Sequence, residues 1–298
     1  MERGLLTPLK LLRRQVFVEL ARVAFESDKA TIKDDIEAIP YKITPGDKPL
    51  YRESIWRERA ICSERVRLAM GLSLRPEDSP VHVTSGLSGS DVADKYYEPP
   101  LMQVIPSACA ACPPNRYKVT DNCRGCVAHP CTAVCPKQCI SIENGRTVID
   151  QSSCIKCGRC KNVCPYAAIV HQTRPCAEAC GVKAIESDDL GRAKINPEKC
   201  VSCGMCMVNC PFGAIADKSQ FFQLIRALRR GDNIIAEVAP SYVGQFGEKA
   251  TPGKVKAALL ELGFKDVYEV ALGADMGAAT EAEHYAERVA TGKQPFML

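Results

Sequence analysis

Cys154-Ile155-Lys156-Cys157-Gly158-Arg159-Cys160-Lys161-Asn162-Val163-Cys164-Pro165 sets three cysteines at every third position and a fourth four residues on, directly before a proline. Cys200-Val201-Ser202-Cys203-Gly204-Met205-Cys206-Met207-Val208-Asn209-Cys210-Pro211 repeats that spacing. Around these two runs the chain is dense in cysteine: it has 18 in 298 residues, Cys62 standing alone and all the others falling between Cys109 and Cys210. Disulfides would need an oxidising compartment and, normally, an apolar export signal. The stretch Met1 to Phe25 is broken by Arg13, Arg14, Glu19 and Arg22. Arg13-Arg14 has the look of a twin-arginine signal, but charge interrupts the apolar stretch within five residues. The expectation is a cytoplasmic protein whose cysteines bind metal rather than one another.

The spacing C-x2-C-x2-C-x3-C-P is the bacterial ferredoxin run for [4Fe-4S] clusters. Three thiolates from one tight loop wrap three irons of a cube, and the fourth cysteine, opening a helix, reaches the neighbouring cube. Thiolates are the soft ligands that such cubes require. Zinc ribbons instead use separated CxxC pairs around one ion, which a tight triplet followed by Cys-Pro does not match.

Cys123, Cys126, Cys131 and Cys135-Pro136 form a variant, with four residues before the third cysteine. His129 stands where the regular run has its third ligand, and imidazole can replace thiolate on iron. Cys131, with the regular gap to Cys135, is the expected ligand. Crossed ligation would then put Cys123, Cys126, Cys131 and Cys164 on one cube and Cys154, Cys157, Cys160 and Cys135 on another. Pro175-Cys176 and Cys180 match Pro130-Cys131 and Cys135, but lack a preceding pair; Cys109 and Cys112 can supply it. A second unit follows: Cys200, Cys203, Cys206 and Cys180 on one cube, Cys109, Cys112, Cys176 and Cys210 on the other. Sixteen cysteines thus fill four cubes, three if Cys109 and Cys112 are a separate zinc or redox pair. The spacing also permits Cys109/Cys112 and Cys123/Cys126 to exchange places. Cys139 occupies a slot that is Ala168, Ala184 and Ala214 in the other repeats, and Cys62 lies on a helical pattern; both read as packing residues.

Four segments of the form Cys-Pro/Gly-x-x-small-Ile end at Ile140, Ile169, Ile185 and Ile215, so the middle of the chain is built by repetition. Ile142 to Asp150, with Asn144-Gly145, and Ile185 to Asn196, with Gly191, read as hairpins. Before them, helical patterns cover Val16 to Phe25 and Ser54 to Leu72, joined by proline-containing segments, and Gly86 to Asp91 reads as a loop. After Lys218 the elements alternate: helix Ser219–Arg230, strand Asn233–Val238, helix Pro252–Leu262, strand Asp266–Val270 and helix Asp275–Val289, with parallel strands. The predicted class is α+β. A helical region spans 1–100, a ferredoxin-like region of two dicluster units 101–218, and the start of an incomplete α/β domain 219–298.

Charged residues make up 25% and hydrophobic ones 46%, ordinary for a globular protein, and no apolar run is long enough to span a bilayer. A net charge of +4 with scattered basic residues gives no nucleic-acid footprint. Each four-thiolate cube would add about two negative charges, leaving the loaded protein mildly acidic. Lys156, Arg159, Lys161 and Lys199 flank ligand cysteines, where they could raise potentials, dock an acidic redox partner, or simply form a solvated face. No Ser-His-Asp set, phosphate-binding loop or H-E-x-x-H is present.

From about residue 100 to 298 the chain resembles the front half of a monomeric [FeFe]-hydrogenase, an iron hydrogenase with ferredoxin-like [4Fe-4S] domains. Besides the cysteines, the resemblance is carried by Val238-Ala239-Pro240-Ser241, by Thr251-Pro252-Gly253-Lys254 through Leu262-Gly263-Phe264, and by Ala274-Asp275. It implies that Ala239, Pro240 and Ser241 correspond to the segment lining the di-iron site. In the family a Thr-Ser-Cys-Cys-Pro type motif follows soon after the equivalent of Phe296-Met297, whereas here no cysteine follows Cys210. The expectation is a partial sequence that relays electrons, holding the H-cluster only if the missing C-terminal part is supplied. Implied partners are a redox carrier such as ferredoxin and that catalytic half. The rival expectations are a stand-alone polyferredoxin and a structural zinc protein.

Overall fold

The computed structural model describes residues 6–28, 30–90 and 100–296. Residues up to Phe222 form one compact unit and those from Gln223 a second.

The first unit opens with α1 (Pro8–Glu26), whose first turn is closed by Thr7, its hydroxyl accepting from the Lys10 amide at 3.3 Å, with Pro8 in the first turn. It buries Val16, Leu20, Val23 and Ala24. Then comes α2 (Ile32–Ile43), which the sequence reading passed over because Pro40 suggested a linker. Ile32, Ile36, Ile39 and Ile43 recur at helical spacing on its buried face, and this apolar stripe outweighs the amide that Pro40 lacks. In α3 (Ile55–Ala69) every residue from Ile61 onward is buried, charged ones included. The three helices pack on one another. Arg67 of α3 donates to the carbonyls of Ser73, His82, Val83 and Ser85, fixing the irregular segment that follows. Gly86 to Asp91 is not wholly loop: Leu87–Ser90 forms a short helix, α4, and Asp91 lies outside the described residues.

Two nested modules follow. The outer one starts with β1 (Met102–Val104), and the inner one with β2 (Arg116–Val119), continuing through α5 (Pro130–Ala133), the hairpin β3 (Ile140–Glu143) and β4 (Arg146–Ile149), and α6 (Arg159–Val163) to β5 (Ile169–Gln172). β2 pairs antiparallel with β5, closing the inner module. The outer module resumes with α7 (Pro175–Glu178), the hairpin β6 (Ile185–Ser187) and β7 (Ala193–Ile195), α8 (Met205–Asn209) and β8 (Ile215–Asp217), which pairs antiparallel with β1. In both modules the two short helices pack together, and the first strand lies against the second hairpin strand. The isoleucines that end the four sequence repeats each begin a strand. Asn144 (φ 47°) and Gly145 (φ 73°) both take left-handed conformations, the requirement of a type I′ hairpin turn.

Each module has its own small core. Tyr117, Ile149 and Ile169 surround Cys131, Cys139 and Cys160 in the inner one. Met102, Ile105, Ala193, Ala214 and Ile215 surround Cys176, Cys206 and Cys210 in the outer one, where Ile61 and Leu68 of α3 join them. Two residues of α3 thus join the core of the outer module.

The second unit contains most of α9 (Phe221–Arg230), then β9 (Ile235–Val238), a 3-10 turn at Pro240–Tyr242, α10 (Pro252–Glu261), β10 (Asp266–Glu269) and α11 (Val270–His284), which continues as a π-helical turn to Val289. β9 and β10 are parallel. α11 starts five residues earlier than expected, at the end of β10. Neither α10 nor α11 buries a residue, and Leu260, Leu262, Val270, Leu272 and Met276 are exposed, unusual for a parallel sheet, whose faces are normally covered. No described helix is long and apolar enough to cross a membrane.

Candidate metal centres

Four short helices present their second residue, always a cysteine, to the interior: Cys131 in α5, Cys160 in α6, Cys176 in α7 and Cys206 in α8, all under 10% exposed. Cys131, not His129, thus occupies the place of the third ligand in the regular runs. His129 instead caps α5 through its backbone at φ 37°, its carbonyl accepting from the Thr132 amide and hydroxyl.

The loops before these helices share a backbone signature. The residue two positions after Cys109, Cys123, Cys154 and Cys200 is left-handed in every case: Ala111 (φ 46°), Gly125 (57°), Lys156 (60°) and Ser202 (55°). The residue three positions after Cys135, Cys164, Cys180 and Cys210 is left-handed too: Gln138, Ala167, Lys183 and Gly213. Six of these eight are not glycine, and such conformations cost of order 1–3 kcal/mol each unless their surroundings enforce them. The pair Cys109/Cys112 therefore sits in the same kind of loop as the regular motifs.

The turns also aim amides at sulfur. Lys156 N donates to Cys154 Sγ (3.4 Å), Ala184 N to Cys180 Sγ (3.2 Å), Ala214 N to Cys210 Sγ (3.4 Å) and Ala193 N to Cys109 Sγ (3.4 Å).

Cys109, Cys112, Cys176 and Cys210 line one small apolar space, walled by Pro175, Phe212 and Ile215. Cys135, Cys154, Cys157 and Cys160 line another, with Cys139, Tyr117 and Ile149. Cys123 and Cys131 each place Sγ 3.6 Å from the buried Thr147 hydroxyl, and Cys206 faces Cys200 and Cys180. Cys126 and Cys164 are half-buried, Cys157 and Cys203 exposed. All 18 cysteines are unbridged, and no three described His, Cys, Asp or Glu side chains converge on the position of a single metal ion.

Burial pushes the Cys176 thiol up to about 11, with Cys210 adding to the effect. The Thr147 amide, then the Gly125 amide, hold Cys123 below the ordinary thiol value. Burial also pushes Cys62 up to about 12; it is 2% exposed and belongs to the α3 packing. Cys139, pushed to about 12 by burial and by Cys135, lies with its Sγ 3.5 Å from Cys135 Sγ. It stands in the slot that is alanine in the other repeats.

Several supporting residues carried no signal in the sequence. Arg174, 6% exposed, donates to the carbonyls of Cys112, Glu186 and Gly191, tying the Cys109 loop to the β6–β7 hairpin. Tyr117 stacks on His171 with ring centroids 4.7 Å apart, and its hydroxyl would lie 2.6 Å from any Cβ at Gly158, a left-handed position. In the second unit, Ala239, Pro240 and Ser241 are exposed and follow the carboxyl end of β9, while the buried Tyr242 donates to Glu269 at the end of β10 (3.1 Å).

The donor set fits iron-sulfur cubes. Buried thiols from separate helices share apolar spaces, left-handed loops turn amides onto sulfur, and no carboxylate takes part in the described groupings. Comparison with known proteins agrees. Residues 147–170 and 193–216 match the 4Fe-4S binding domain, and residues 232–298 match the iron only hydrogenase large subunit, C-terminal domain. "Ferredoxin 7Fe" of Hydrogenibacillus schlegelii is 41% identical over 56 residues, 19% of this chain and 72% of that protein. "Putative electron transport protein YsaA" of Escherichia coli (strain K12) is 32% identical over 87 residues, 23% of this chain and 55% of the relative. "Electron transport protein HydN" of the same strain is 42% identical over 53 residues, 18% of this chain and 30% of the relative. Beyond the first, the chain thus spans about half or less of these relatives. Through its paired cysteine modules the chain belongs to the 4Fe-4S ferredoxin family.

Proposed function

We propose that this chain relays electrons through four [4Fe-4S] cubes, as the electron-transfer portion of an [FeFe]-hydrogenase whose hydrogen-activating site is completed by residues outside this chain. The observation that carries the proposal is the joining of two nested modules, each with two sets of four candidate ligand cysteines, to a segment matching the iron only hydrogenase large subunit, C-terminal domain. When bound, the cubes supply one-electron redox chemistry.

Cys109, Cys112, Cys176 and Cys210 would hold one cube; Cys180, Cys200, Cys203 and Cys206 its partner in the outer module. In the inner module the sets are Cys123, Cys126, Cys131 and Cys164, and Cys135, Cys154, Cys157 and Cys160. The shared spaces and the repeated loop conformation support this partition. Amides of Lys156, Ala184, Ala193 and Ala214 would donate to ligand sulfurs, and Ile149, Ile169, Ile215 and Tyr117 would exclude water around the cubes. The exposed ligands Cys157 and Cys203 mark faces where a redox carrier such as ferredoxin could approach. Ala239, Pro240 and Ser241 would line the hydrogen site once its other walls are present, since ligands of open α/β sheets bind beyond the carboxyl ends of the strands. The uncovered apolar side chains of α10 and α11 fit a domain that closes against further chain. The domain division is 1–100, 101–218 and 219–298, and the compartment cytoplasmic.

A coding sequence that continues past Leu298, or a companion subunit, bearing the remaining cysteine motifs supports the hydrogenase assignment; neither being found overturns it. A self-sufficient polyferredoxin is the second reading, favoured by the similarity to named electron transport proteins over the cysteine modules. It requires reversible cluster reduction in the isolated chain with no hydrogen activity in any assembly.

A further inference from the structure

Three guanidinium groups from the N-terminal region close on the segment around Cys210. Arg13 of α1 donates through Nη2 to the carbonyls of Met207 and Ile215, both at 3.2 Å. Arg52, just before α3, donates to the Phe212 carbonyl at 2.7 Å. Arg65 of α3 donates to the Gly213 carbonyl. Gly213 is left-handed, and a Cβ there would lie 2.8 Å from Arg65 Nη2, so helix and loop are in direct contact.

Of the three, Arg65 has no carboxylate to compensate its positive charge. Arg65 is 5% exposed, and the Nε atoms of Arg65 and Arg13 are buried without a hydrogen-bond partner. Burial pushes Arg65 down to about 10, leaving it cationic at neutral pH; the charged groups acting on it are Arg13, Cys62, Arg52 and Cys210. Cys62, pushed up to about 12, is neutral. Asp217 faces Arg13, while Glu53 and Glu58 face Arg52. Glu58 is itself held by the amides of Leu50 and Arg52, and Glu53 pairs with Arg57. The group common to all three arginines is Cys210. Buried cations without counter-ions are strongly disfavoured, and their fields are weakly screened.

We infer that Arg13, Arg52 and Arg65 are the counter-charge of the centre held by Cys109, Cys112, Cys176 and Cys210, and raise its reduction potential above those of the other three. The inference rests on the ligand assignment proposed above. Accepting one electron from a low-potential donor adds one negative charge to that centre, and nearby fixed positive charge favours the reduced form. Electrons would therefore collect at the end of the outer module covered by α1 and α3.

The test is an EPR-monitored redox titration of the anaerobically prepared full chain, with iron counted in parallel, for Arg65→Gln, Arg13→Gln, Arg52→Gln and the charge-keeping Arg65→Lys. Each Gln variant is expected to lower one midpoint by at least a tenfold change in its reduction equilibrium, about 59 mV for a one-electron couple. The other midpoints should stay put, and Arg65→Lys should track the parent protein. If Arg65→Gln does not fold, the less buried Arg13 and Arg52 carry the comparison. Full iron with no midpoint displaced would overturn the inference alone, as would loss of four irons in every Gln variant, which would show a structural role. A parent chain without iron and sulfide would overturn the ligand assignment itself.

Discussion

At the scale of single residues, the cysteines divide by what surrounds their sulfur. Cys176 shares an apolar space with three other thiols, whereas Cys62 is sealed in the packing of α3, beside Arg65. Substituting Ser for Cys176 or Cys109 should therefore remove about four irons per chain, while Cys62→Ser should leave iron unchanged; metal analysis of the three variants decides it. Equal iron loss for Cys62→Ser would contradict the assignment. The candidate ligand cysteines are legible because their spacing is the signal that marks them. Arg13, Arg65 and Arg174 are not, since a sequence presents them as ordinary charged positions and only the fold shows that each reaches a backbone carbonyl more than 60 residues away. Thr147 was hidden likewise, a strand threonine until β4 sets its hydroxyl beside two sulfurs.

At the scale of elements, local signals were readable and distant pairings were not. Asn144-Gly145 announced its hairpin because the turn chemistry lies within two residues. β1 and β2 are three- and four-residue strands whose partners, β8 and β5, lie far along the chain, too short to show a period. The insertion of one module inside the other was nonetheless implied by the half-motif at Cys176 and the unclaimed pair at Cys109. The β1–β8 closure gives an energetic prediction. Ile105 is fully buried and extends that pairing through its amide to the Ala214 carbonyl, at 2.7 Å. Ile105→Ala should cost roughly 2–5 kcal/mol, seen as a lower midpoint in thermal unfolding of the anaerobic protein. Iron held by the inner module should persist. An unchanged melting curve would mean that the outer module is not closed by this strand.

At the scale of the molecule, the two cysteine modules have small cores built in part of thiols, Cys131, Cys139 and Cys160 in one and Cys176, Cys206 and Cys210 in the other. Metal binding to such a region is folding free energy. Iron removal by a strong chelator should thus abolish the cooperative transition of the first unit, read by circular dichroism and hydrogen exchange, with loss of protection in β2, β5, β1 and β8. A chelated chain that kept its unfolding transition would show that the polypeptide alone holds these modules together. The central claim is the number and kind of centres that the 16 paired cysteines hold. Iron and acid-labile sulfide, measured per chain on protein prepared without oxygen, should each come to about sixteen. Values near eight, or zinc in place of iron with no sulfide, would contradict it.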